Sequence, residues 1–282
     1  MTKNRKNRKN APCVHRDDIH ISFAGGAILS FYNVGVATYL MRNTPISKIG
    51  AVYGVSGGAL CGCWLLCAPS THAFGLINEQ YVGEWEAKVK REGGPRALKN
   101  SLAYHRSLLE RLLPQDAHIT CSGRLHIALM RISKGRHEII SHFETRKHLI
   151  DLLIAAMSIP GVNCLKPAQV KGRSYYDGGL VRNQVVCCED VICVTPFDRL
   201  FSIKRLPHRP KNLIRGCRPT LDAFKPGTNC RENLEIGYQD AKAYFEARPE
   251  IFFGRQETSL ISISAHRQDT SADTKDWVAS MH

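Results

Sequence analysis

The apolar positions of this chain change period along its length. Ile19-His-Ile-Ser-Phe23 alternates apolar and polar residues and stops at glycine, which predicts a strand. Ala27 to Arg42 reads as a helix closed by Asn43 and Thr44-Pro45. Ile49 to Tyr53 predicts a second strand, and Gly57 to Ala68 a second helix stopped by Pro69-Ser70. Two successive strand–turn–helix units imply an α/β fold around a parallel sheet. Residues 72–118 read as mostly helical, with a break at Glu92-Gly-Gly-Pro95. Ile119 to Ile132 and Glu138 to Ser141 predict strands. Between Glu144 and Met157, Leu149, Leu152, Leu153, Ala156 and Met157 fall on one helical face, and Ser158-Ile-Pro160-Gly161 ends that helix. Val191 to Thr195 predicts a buried strand and Glu232 to Phe253 a helix. No internal repeat is visible.

Two stretches, Ile21 to Met41 and Ala51 to Ser70, carry no charge and are long enough to span a membrane. Their glycines (Gly25, Gly26, Gly35; Gly54, Gly57, Gly58, Gly62) favour a strand, a turn and a buried helix in each. Globular composition, 43% apolar and 23% charged, excludes wholesale disorder. The 282 residues divide into a basic N-terminal tail (1–18), a main domain (19–197) and a basic, partly helical C-terminal extension (198–282).

Charge adds a possible partner. Lys and Arg outnumber Asp and Glu by 39 to 25, a net +14. Five positive charges (Lys3, Arg5, Lys6, Arg8, Lys9) sit in the tail, with no apolar run behind them as a signal peptide requires. Seven more between Arg199 and Arg218 alternate with apolar residues, a pattern suited to an anionic lipid surface. No nucleic-acid motif accompanies the charge, so nucleic acid is not an expected partner. Eleven cysteines, an odd number without disulfide-framework spacing, point to reduced thiols and an intracellular setting. Cys61-Gly-Cys63 with Cys67 lacks paired zinc-ligand spacing, so no metal is expected.

Three short motifs carry the chemistry. Gly54-Val55-Ser56-Gly57-Gly58 is a G-x-S-x-G match between a strand and a helix, the setting of a nucleophile elbow. Ser56 there faces the N–H groups of a helix start, where negative charge is favoured. Phe23-Ala24-Gly25-Gly26-Ala27 also joins strand to helix. It lacks dinucleotide spacing, and no Walker motif occurs in the chain. In an acyl-transfer enzyme this loop is the place for an oxyanion hole, with N–H donors from Gly25, Gly26, Ala27 and Gly57. Tyr175-Tyr176-Asp177-Gly178-Gly179 sets a carboxylate before two glycines in a sharp turn. A Ser-His-Asp arrangement through His208 or His266 fits the order of residues. However, His208 lies in a basic stretch and His266 near the terminus. A carboxylate acting directly on serine is therefore favoured.

Together these motifs resemble the patatin-like phospholipase domain family. Ile21-Ser-Phe-Ala-Gly25, Phe31-Tyr32-Asn-Val-Gly35, Ile159-Pro-Gly161 and Val194-Thr-Pro-Phe197 are similar to its adiponutrin/adipose triglyceride lipase branch, and Asn233 to Asp240 echoes it more weakly. The resemblance implies a three-layer α/β/α fold with a central, mostly parallel sheet. It implies a Ser–Asp dyad, Ser56 as nucleophile and Asp177 as general base, hydrolysing lipid ester bonds without cofactor or metal. The substrate would be an acylglycerol or phospholipid. The setting would be cytoplasmic, peripheral to a lipid droplet or membrane. The family loop is G-x-G-x-x-G, whereas Ala27 and Ser30 stand here for two of its glycines. A Cβ at residue 27 disturbs the loop if φ is positive there. The alternative is thus a weak or inactive lipid-surface binding protein.

Overall fold

The computed structural model describes residues 18–188, 190–198, 211–218, 223, 229–249 and 251. The basic tail, most of the basic–apolar stretch after Asp198, and both candidate histidines, His208 and His266, lie outside them. Contacts divide the chain into two units, Met1–Tyr244 and Phe245–His282. Of the second unit, 245–249 and 251 are described, and the Arg248 N–H donates to the Phe245 carbonyl.

In the first unit, both uncharged stretches fold as strand, turn and helix. β1 (Ile19–Phe23) leads through a tight 3-10 turn over Ala27–Ser30 into α1 (Phe31–Asn43). The helix expected from Ala27 therefore starts at Phe31. β2 (Ile49–Val55) leads through Ser56 into α2 (Gly57–Cys67). Among the described residues, no helix is long and apolar enough to cross a membrane. α3 (Thr71–Glu92), α4 (Gly94–Lys99) and α5 (Ser101–Leu112) follow, broken at Gly93 as the sequence predicts.

The apolar run 119–132 is not one strand. Its start closes a short helix, α6 (Ala117–Cys121), and the chain turns at Gly123 (φ +79°) before β3 (Leu125–Arg131). A short apolar run does not separate helix from strand by period. β4 (Arg136–Ile140) and α7 (Arg146–Ala156) match expectation. β5 (Ala168–Val170) and β6 (Arg173–Asp177) were not predicted. β7 (Ile192–Phe197) is the last expected strand. β8 (Asn212–Arg218) pairs with it in parallel, and α8 (Cys230–Glu246) is the last described helix that follows. The expected domain boundary at residue 197 thus falls inside the sheet.

The eight strands form one sheet in the order β5-β6-β3-β2-β1-β7-β8, with β4 also on β3. β1, β2, β3, β7 and β8 are parallel neighbours, while β4, β5 and β6 join antiparallel. β1 lies between β2 and β7, so Ile21 and Phe23 are fully buried. α1, α2 and α7 pack against the sheet. Ala51, Tyr53 and Val55, alternate residues of β2, share one face of the sheet and bury against Val185, Val186 and Val191. α8 meets α1 through glycine. A Cβ on Gly35 would lie 1.9 Å from the Leu234 carbonyl oxygen, and one on Gly237 2.0 Å from that of Tyr32.

One detail of the pairing sets the site. β4 pairs with Ile127 to Arg131 along one edge of β3. The other edge is shared: β2 takes Leu125 to Ala128, and β6 takes Leu129 to Arg131. β2 therefore ends, at Val55 opposite Ala128, where β6 arrives with Asp177 opposite Leu129.

Candidate active site

The turn from β2 to α2 leaves Ser56 in a strained backbone conformation, φ +53° and ψ −129°. Its hydroxyl makes no capping bond to α2. Gly54 and Gly58 allow this elbow by close approach. A Cβ on Gly54 would fall 2.3 Å from Ala59 Cα, and one on Gly58 2.4 Å from the Phe23 carbonyl oxygen. Strain at a buried, non-glycine turn residue is held by the surrounding packing.

The Ser56 hydroxyl lies close enough to the Asp177 carboxylate to favour its charged form. The Gly179 N–H donates to Asp177 Oδ1 at 2.8 Å, and the Asp177 N–H donates to the Ser158 carbonyl at 2.8 Å. Gly178 has no room for a side chain, since its Cβ would lie 2.4 Å from the Ala128 carbonyl oxygen. Asp177 is only 3% exposed. Burial pushes its pKa up to about 7, and the nearby Ser56 hydroxyl and the Gly179 N–H act in the opposite direction.

The glycine loop departs from expectation at one donor. The Gly25 N–H donates to Asn183 Oδ1 at 3.0 Å, and Asn183 Nδ2 donates back to the Gly25 carbonyl at 2.8 Å. Gly25 is thus a fixed strut and not an available oxyanion donor. Asn183 was missed because it lies 158 residues from its partner and belongs to no local motif. The N–H groups of Gly26, Ala27 and Gly57 meet no acceptor among the described residues. Ala27 has φ +46°, which costs a side-chain-bearing residue roughly 1–2 kcal/mol. Ser30 has an ordinary helical φ of −63°. Its buried Oγ has no partner among the described residues, and a Cβ on Gly57 would lie 2.3 Å from it.

Ser56, Gly57, Ala27 and Ser30 border a cleft of about 1010 Å³ that opens to solvent. Leu60, Trp64, Trp85, Val89, Leu98 and Met157 make its wall apolar. His105 also lines it, but both ring nitrogens are engaged. Nε2 meets the Tyr81 hydroxyl at 2.5 Å and Nδ1 the Ser101 carbonyl at 2.5 Å. Burial lowers its pKa to about 4, so it is neutral and occupied.

A strained serine elbow beside a buried carboxylate at the head of an apolar cleft is an arrangement that suits acyl transfer. The family model for patatin-like phospholipases matches residues 21–186. The chain belongs to the patatin-like phospholipase family. It is 34% identical over 244 residues to human patatin-like phospholipase domain-containing protein 2, covering 82% of this chain and 45% of that one. It is 30% identical to the mouse 1-acylglycerol-3-phosphate O-acyltransferase Pnpla3 (63% and 43%) and 29% identical to the human omega-hydroxyceramide transacylase (58% and 31%). The chain spans less than half the length of each of these relatives. Among solved structures it is similar to VipD from Legionella pneumophila, with 13% identity and a TM-score of 0.45 over 83% of this chain and 68% of that one.

Proposed function

We propose that this chain is a lipid acyl hydrolase working through Ser56 and Asp177. The observation that carries the proposal is that β2 and β6 meet on one edge of β3, which brings the Ser56 elbow beside Asp177, a buried carboxylate whose pKa is pushed up to about 7. That value suits a general base at neutral pH. Asp177 takes the Ser56 proton as Oγ attacks the ester carbonyl. The C–O bond to the alcohol breaks, and Asp177 returns the proton to the leaving oxygen. Water then attacks the acyl-serine, losing a proton to Asp177; the acyl–Oγ bond breaks, Asp177 returns that proton to Ser56 Oγ, and the fatty acid leaves. The N–H groups of Gly26, Ala27 and Gly57 would hold the oxyanion, with the Ser30 hydroxyl as a further donor; Ala27, Ser30 and Gly57 line the cleft, and the Ser30 Oγ has no other partner among the described residues. No step calls for a cofactor.

The apolar cleft supports an acylglycerol or phospholipid as substrate, its acyl chain along Leu60, Trp64 and Trp85. A peripheral position on a lipid droplet or membrane is supported by Leu165. It is 89% exposed beside Lys166, in the loop whose Ile159 and Asn163 line the cleft. The second reading, a weak or inactive lipid-surface binding protein, rests on strained Ala27 and committed Gly25. A fluorophosphonate probe separates the two. The hydrolase reading expects labelling at Ser56 and ester turnover that falls about 10³-fold or more in Ser56→Ala and Asp177→Asn. An intact, unlabelled Ser56 on a folded chain overturns it.

A further inference from the structure

Helix α2 has a second chemical end. Cys63 and Cys67 lie four residues apart, so their side chains leave one face of the helix. α6 packs against α2 and adds Cys121. The three sulfurs lie within 4.8 Å of one another, with Cys63 to Cys121 at 3.9 Å and Cys67 to Cys121 at 3.5 Å. Cys63 and Cys121 are fully buried, and Cys67 is partly exposed. None of the three lines the cleft, whereas Cys61 does.

The geometry points to a binding site for a soft d10 cation of the zinc class, held by the Sγ atoms of Cys63, Cys67 and Cys121. Sides of 3.5, 3.9 and at most 4.8 Å put an ion at the centre of the triangle about 2.2–2.4 Å from each sulfur, the length of a zinc–thiolate bond. An all-sulfur donor set selects against magnesium and calcium, which need oxygen. Three protein ligands leave zinc a fourth position for solvent. The partial exposure of Cys67 gives the ion a way in.

The electrostatics agree. Hydrogen bonds shared with Cys121 and Cys63 favour the thiolate form of Cys67. The shared hydrogen bonds, with burial, push the Cys63 thiol up, and an ion bound to thiolates displaces protons. Arg124, fixed by bonds to the Ile46 and Ile49 carbonyls, favours charge on Cys67 and Cys121, while Asp116 opposes it on Cys67. Three thiolates with a divalent ion leave one net negative charge, which Arg124 balances. Cys67 is also the last residue of α2, where the partial negative charge of the helix end favours a cation. Sequence spacing missed the trio because its third member comes from another helix.

The test uses the full chain, reduced and stripped with a chelator. Zn2+ is titrated against a chromophoric chelator, and Cd2+ is followed by sulfur-to-metal charge-transfer absorption. The expected result is one ion per chain with a rise in Tm. Cys63→Ala and Cys121→Ala should abolish the absorption band and weaken Zn2+ binding at least about 100-fold. Cys67→Ser should weaken it at least about 10-fold. A Cys187→Ser, Cys188→Ser variant should bind like the parent. If a buried-cysteine variant fails to fold, the Cys67→Ser comparison decides alone. Zn2+ binding that is absent, or equal in parent and Cys67→Ser, overturns the proposal. So does a chain whose thiols only form a Cys67–Cys121 disulfide in air and hold no Zn2+ when reduced.

Discussion

At the scale of single residues, the proposed chemistry turns on the charge of Asp177. A carboxylate buried to a pKa of about 7 is mostly protonated in mild acid, and a protonated acid takes no proton from serine. Ester turnover should therefore rise about tenfold per pH unit below 7 and level off above it, as a pH–rate profile would show. The stability effect has the opposite sign. The unfolded carboxyl ionises near 3.8, so the folded state loses stability as pH climbs from there to about 7, and the loss is complete above 7. Asp177→Asn, which removes the charge and keeps an acceptor for the Gly179 N–H, should unfold at a higher temperature than the parent at pH 8. The gain should be on the order of a few kcal/mol, and it should vanish near pH 4. Ala27 offers a second handle. Ala27→Gly removes the positive-φ cost, partly offset by the added freedom of glycine when unfolded. It should leave stability within about 1 kcal/mol and raise turnover, because the loop amides reach their positions without strain. Unchanged turnover would show that strain at residue 27 does not limit the loop.

At the scale of elements, the elbow depends on contact as much as on conformation. Gly58 packs where a methyl group would enter the Phe23 carbonyl, so β1 and α2 separate if it is enlarged. Gly58→Ala should cost several kcal/mol, roughly 2–4, by overpacking against backbone, and melting curves measure this directly. Gly75→Ala, on open α3 surface, is the matched control expected to change little or to stabilise. This scale also shows what the sequence could convey. The elbow and the Asp-Gly-Gly turn were legible because backbone conformation and close approach restrict residue type over a few adjacent positions. β6 was not, because Arg173-Ser-Tyr-Tyr-Asp177 has no clean alternation and is defined by its neighbour β3. Neither was α6, whose apolar residues merge with those of β3 until Gly123 turns the chain. The Asn183 strut had no local signature either, since two hydrogen bonds to one distant glycine leave no pattern along the chain.

For the whole molecule, the cleft and its surroundings bear on how the proposed lipid substrate would be reached. Leu165 stands almost wholly in solvent at the edge of a loop that lines the cleft. An isolated exposed leucine adds little to folding, but burying one in an acyl boundary gains about 1.5–3 kcal/mol. Leu165→Ser should therefore weaken vesicle or emulsion binding about tenfold and lower turnover on dispersed lipid. Turnover of a short, water-soluble ester should stay at the parent value. Equal loss on both substrates would place Leu165 inside the reaction and not at a surface. β8 and α8 bear on the same question of extent, for both build on the body beyond residue 197. Their joins are β7 and the glycine contact with α1.

The shared edge of β3 has a consequence for when the proposed site can exist. The nucleophile is in place once β1, β2 and α2 have formed, but its base enters 121 residues later, at the end of a strand that continues the rail β2 has left. A nascent or clipped chain that stops short of β6 carries the serine without its proton acceptor. Catalytic competence is therefore withheld until the antiparallel flank has been laid down. A two-residue slip of that flank would silence the protein while leaving most of its fold intact.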